Sequence, residues 1–117
     1  MKYWIGLISL LVMDGIYLSI TKGFFRRAIE DVQQTPLVVR IPPVIILYPL
    51  VMFILYYFII SKKRPTGDAF ILGICIYGIF ELTNYSLFTN WHLSTVLLDT
   101  LWGGVLLYLT TAIIYNV

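Results

Sequence analysis

The chain is poor in charge, in cysteine and in histidine. Of its 117 residues only 12% are Asp, Glu, Lys or Arg, one is a cysteine and one a histidine. With Cys75 as the lone thiol, no internal disulfide or thiolate metal site is available, and a small thiol inside an apolar run reads as a packing residue. A net charge of +2, with the basic residues scattered, excludes nucleic acid as a partner. A Gly-rich nucleotide loop, a nucleophilic serine motif and a metal-ligand pattern are missing too, so neither a cofactor nor a metal is expected. No Ser/Gly/Pro-rich linker or internal repeat divides the chain, which reads as a single domain over residues 1–117.

What is abundant is apolar surface. Hydrophobic residues make up 60% of the chain and its mean hydropathy is +0.89, far beyond a soluble domain of this size. Four stretches reach the roughly 20 residues needed to cross about 30 Å of hydrocarbon as a helix: about 3–21, 41–61, 69–88 and 94–115. None alternates apolar with polar, and in lipid only a helix satisfies its backbone hydrogen bonds within one segment. The predicted fold is all-α, a polytopic transmembrane four-helix bundle. The N-terminal run imitates a signal peptide, but Asp14 and the want of an A-x-A-like site favour a retained first span. After it, Phe24, Phe25, Ala28, Ile29 and Val32 recur at helical spacing, which predicts a short interfacial amphipathic helix over about 23–34.

The stretch KKRPTGD at 62–68 reads as a tight hairpin, with Pro65 stopping a helix and Gly67 making the turn. Lys2, Lys62, Lys63 and Arg64 lie on the side of both termini, against Lys22, Arg26, Arg27 and Arg40 on the other. The count is level, and the KKR cluster at a span end favours a cytoplasmic location for the termini. Pro49 falls inside the second span and predicts a kink beside Tyr48. Gly73, Gly78, Gly103 and Gly104 are read as close-packing positions, and Tyr3, Trp4, Trp91 and Tyr115 as an interfacial aromatic belt.

The polar residues inside the spans share a depth. Counting about 1.5 Å per residue, Asp14 lies roughly 16 Å from the termini side and Glu81 about 18 Å, with Asn84 a turn further. Asp99 and Tyr48 descend from the opposite side to about 7–8 Å and roughly 10 Å. Asp14 and Tyr17 are three residues apart, as are Asp99 and Trp102, while Tyr77, Glu81 and Asn84 share a broad face. A carboxylate facing lipid costs at least about 2.5–3.5 kcal/mol, so these groups are expected to face inward as one polar pocket of Asp14, Tyr17, Tyr48, Tyr77, Glu81, Asn84, Asp99 and Trp102. Arg40 and His92 are placed at its mouth.

The strings DGIYL at 14–18, LYPLV at 47–51, YGIFELTN at 77–84, NW at 90–91 and DTLWGG at 99–104 resemble the DUF2177 family of small four-span membrane proteins, over nearly the whole chain. Tyr17 stands where the family motif has tryptophan, Phe80 stands for tyrosine, Glu81 stands for aspartate, and Pro49 interrupts the tyrosine motif. The resemblance implies the four-span fold and marks Asp14, Tyr48, Glu81, Asn84, Asp99 and Trp102 as motif positions; it implies no substrate. Three functions follow from the residues themselves. The leading expectation is binding or translocation of an ion, proton or small molecule through the acidic and tyrosine layer, in a homo-oligomer (a dimer), because four short helices enclose little volume. An intramembrane acid/base enzyme acting on a lipid or other apolar molecule is the second, and a structural or assembly role for the polar layer is the third.

Overall fold

The computed structural model describes residues 2–36 and 40–117, for Lys2 the backbone alone; residues 37–39 of the first connection lie outside this description. The described residues are helical with short turns: α1 spans Lys2–Gln33, α2 Ile41–Leu55, α3 Thr66–Leu87 and α4 Leu93–Tyr115. Each is long and apolar enough to cross a membrane, α2 together with the wider π-helical turn Tyr56–Ile60 that continues it. Ile8, Ile45, Ile79 and Leu97, one from each helix, are all about 60% exposed or more. Such an apolar exterior on every helix suits hydrocarbon and not water.

The first span and the amphipathic segment after it form one unbroken helix. Ala28 is fully buried, Phe25, Ile29 and Val32 are half-buried, and Arg26 and Arg27 are exposed, so the extension does carry an inner and an outer face. Its end meets the α3–α4 turn: Asn90 donates to the Asp31 carbonyl at 3.2 Å, and His92 Nε2 lies 3.1 Å from an Asp31 carboxylate oxygen. The left-handed residue Gln34 closes the helix, its N–H returning to the Glu30 carbonyl. From Asp14 to Asp31 is about 25 Å along α1, while His92 to Trp102 is about 15 Å along α4. The two stretches touch at both ends, at Asp14 with Trp102 and at Asp31 with His92.

The hairpin at 62–68 turns at a different residue from the one expected. Gly67 lies within the first turn of α3, and Lys63 takes the left-handed conformation, at φ 54°. Lys63 N–H reaches the Ile60 carbonyl and Arg64 N–H the Ile59 carbonyl, the Schellman closure of a helix C-terminus. Once a helix ends by this closure, the chain reverses there and a glycine two residues beyond the proline has no turn to make. Pro65 sits just before α3, and Asp68 in the first turn pairs with Arg64 at 2.7 Å while lying at the favourable end of the helix dipole. Pro49 lies inside α2, which continues through it, and the wider turn follows at 56–60.

Packing divides the bundle in two. The apolar core of Leu10, Val51, Met52, Leu55, Ile59, Ala69, Leu106, Leu107 and Ile114 fills the half nearer the termini. At mid-depth α3 and α4 come together backbone to backbone: a Cβ on Gly73 would strike the carbonyl of Gly103, and one on Gly104 would come within 2.8 Å of the Ile74 side chain. Without side chains at these positions, dispersion contacts between main chains become available, the means by which helices associate in lipid. That approach aligns the polar faces of α3 and α4 in the other half.

Candidate functional site

Asp14 occupies the inner face of α1, one helical turn after the buried Leu10, and is 7% exposed. Both carboxylate oxygens are occupied. Oδ2 accepts a short hydrogen bond from the Tyr48 hydroxyl of α2, and Oδ1 accepts from the Trp102 indole N–H of α4 at 2.9 Å. One carboxylate therefore ties three helices together. The Tyr17 ring, three residues on from Asp14, stacks on the Trp102 ring at 4.5 Å between centroids and 4° between planes. Stacking holds the indole edge toward Asp14 and directs the Tyr17 hydroxyl inward.

Glu81 is the most deeply buried of the acids, at 2% exposure. Gly78, one turn earlier on α3, faces Thr100 of α4, where a Cβ would sit at ordinary contact distance, 3.4 Å, from the threonine methyl. Glu81 and Asp14 both lie within electrostatic range of Asp99 on α4. Glu81 Oε1 also accepts from the Trp91 indole N–H at 2.9 Å. The two carboxyls attract only if they share a proton, and otherwise repel.

The Tyr17 hydroxyl lies within electrostatic range of Asp99, Asp14 and Glu81. It is buried with no hydrogen-bond partner among the described residues, and the same holds for Thr95 Oγ1 and Thr100 Oγ1 on α4. Leaving a buried hydroxyl unpaired costs about 1–3 kcal/mol, so these three hydroxyls keep hydrogen-bonding capacity that no protein group uses among the described residues. Thr95 and Asp99 are four apart on α4 and share a face.

The polar residues named from the sequence are not equally close to this centre. Asp14, Tyr17, Tyr48, Glu81, Asp99 and Trp102 are directly linked or mutually adjacent. Tyr77, half-buried with its ring against Gly103, stands within electrostatic range of Asp14 and Asp99. Asn84 is half-buried and makes no side-chain hydrogen bond among the described residues; its carbonyl accepts the Phe88 N–H that closes α3. Arg40 is exposed at the start of α2, with no ion pair among the described residues. His92 engages Asp31 of α1 and none of the three span acids.

Trp91 departs from the expected aromatic belt. Its indole N–H turns inward to Glu81, because the short α3–α4 turn brings a residue ten positions along the chain back over the end of α3. The signal available in sequence was its place in the NW motif. Thr95 and Thr100 were passed over, although Thr95 stands one helical turn from Asp99. Trp91 also lines an open pocket of about 400 Å³ with Asp31, Gln34, Thr89, Asn90 and His92. One side of this indole thus meets a wet surface and its N–H meets the buried acid.

Four membrane-length helices with carboxyls, phenols and indoles joined inside the bundle define a small multi-pass membrane protein with a buried polar layer. The chain belongs to the DUF2177 family, described as a predicted membrane protein, which it matches over residues 1–116. No curated protein and no solved structure matches it.

Proposed function

We propose that the polar layer binds and relays protons, with the carboxyls of Glu81 and Asp99 as the proton-binding pair and Asp14 as a fixed anchor. The observation that carries this reading is the burial of Glu81 within electrostatic range of Asp99, together with the unpartnered buried hydroxyls of Tyr17, Thr95 and Thr100. Hydroxyls donate and accept at once, so they pass protons between carboxylates without a large void. A proton needs no cavity the size of an organic ligand, and the larger pockets are lined by other residues at the ends and side of the bundle. Ionisable groups buried in a membrane bundle commonly mark such relays. Entry lies on the Trp91 and His92 side, where the open pocket adjoins the indole bonded to Glu81.

Proteoliposomes containing the protein and an internal pH-sensitive dye test this. Under an imposed pH gradient, the wild type should acidify the lumen faster than empty vesicles, and Glu81→Gln should reduce the rate to the empty-vesicle level while leaving thermal stability nearly unchanged. Equal rates for wild type and Glu81→Gln overturn the proposal. A Glu81→Gln protein that loses stability in proportion to any lost flux supports the assembly role instead.

A further inference from the structure

The end of the bundle that holds both termini carries a second feature, independent of the acidic layer. A cavity of about 750 Å³ opens there, lined by Tyr3 of α1, Tyr56, Ile60 and Lys63 at the end of α2, and Ile114 and Tyr115 of α4. Its walls are fixed. Tyr115 donates to the Arg64 carbonyl at 2.6 Å and so ties the α2–α3 hairpin to the end of α4, while Tyr3 packs edge-on against Tyr56 at 5.9 Å.

The three consecutive cations of the hairpin are used differently. Lys62 sits over the Tyr57 and Phe58 rings, with its nitrogen 4.9 Å and 5.5 Å from their centroids. Arg64 pairs with Asp68. Lys63 lines the cavity, has no ion-pair partner among the described residues, and is placed there by the left-handed backbone that ends the helix. The cavity thus gathers an unneutralised ammonium, three phenols and two isoleucines at the level where a span meets the headgroup layer. A free phosphate would find the charge but no use for the apolar floor; a phospholipid uses both. Basic pockets between spans at the membrane boundary suit anionic headgroups.

We propose that this cavity is a binding site for an anionic phospholipid, Lys63 meeting the headgroup phosphate and Ile60 and Ile114 the first part of the acyl chains. Delipidated full-length protein in detergent, titrated with phosphatidylglycerol, phosphatidylcholine or inorganic phosphate and read by native mass spectrometry, tests it. Phosphatidylglycerol should bind more tightly than phosphatidylcholine. Lys63→Gln should weaken phosphatidylglycerol binding about fivefold, the contribution of one basic residue at an anionic surface, while Lys63→Arg and Lys22→Gln should bind as the wild type. The proposal is overturned if Lys63→Gln binds phosphatidylglycerol as tightly as the wild type, if Lys63→Arg loses binding as fully as Lys63→Gln, or if the two lipids bind alike. Displacement of phosphatidylglycerol by inorganic phosphate at equal concentration would reassign the site to the free anion.

Discussion

The two halves of this bundle solve different problems with the same four helices. Toward the termini the interior is Leu10, Met52, Leu55, Leu106, Leu107 and Ile114, all nearly or fully buried, with dispersion contacts and no hydrogen bonding between their side chains. Toward the other face the interior is a chain of carboxyls, phenols and indoles in which Asp14 has both oxygens occupied, while Tyr17, Thr95 and Thr100 have buried hydroxyls to spare. The dry core holds the helices at a set distance. In the polar half Asp14 is likewise a fastening, a carboxylate that bridges α1, α2 and α4, whereas Glu81 and Asp99 lie within electrostatic range of each other.

Substitutions at positions that pack or fasten the helices should therefore act chiefly on stability. Gly73→Leu should have the largest effect, lowering stability in detergent by about 3 kcal/mol or more because backbone, not a flexible side chain, blocks the new Cβ. Asp14→Ala should come next, at about 1–3 kcal/mol, since it strips the acceptor from two buried donors, Tyr48 and Trp102. Thermal unfolding in one detergent ranks both. Glu81→Gln should reverse the pattern: a change in stability below about 1 kcal/mol, with proton flux reduced about a hundredfold, the scale on which loss of a proton-transfer group acts. If Glu81→Gln destabilises as much as Asp14→Ala with flux per folded molecule unchanged, the two halves are alike and both are architectural. Smallest of all, Trp91→Phe should cost about 0.6 kcal/mol, a typical buried polar contact between membrane helices. It should also quench less than the wild type when a pH change at the open pocket is followed by tryptophan fluorescence.

The sequence was most legible where membrane physics is one-dimensional. Length and apolarity along the chain placed spans at 41–61 and 94–115 within a residue or two of the helices observed, because a bilayer demands a continuous apolar helix of fixed length. Depth followed by counting residues, and it put Asp14, Tyr48, Glu81, Asn84 and Asp99 in one layer. What it left open was rotation about each axis. These helices are apolar on nearly every side, so no stripe says which face turns inward. Trp91 therefore read as a belt residue when its indole reaches Glu81, and Gly67 read as the hairpin turn when Lys63 reverses the chain.

Chain composition alone dictated a four-span membrane protein with three carboxyls that must avoid lipid, because the costs of exposed backbone and exposed charge in hydrocarbon leave few alternatives. Tertiary structure alone decided what each carboxyl meets. The contact of Gly73 with Gly103 sets the rotation and separation of α3 and α4, and from it follow the proximity of Glu81 and Asp99 and the unpartnered hydroxyls. Hydrogen bonds act over about 3 Å, a scale that residue counting along a helix does not reach and that only packing of one backbone on another fixes.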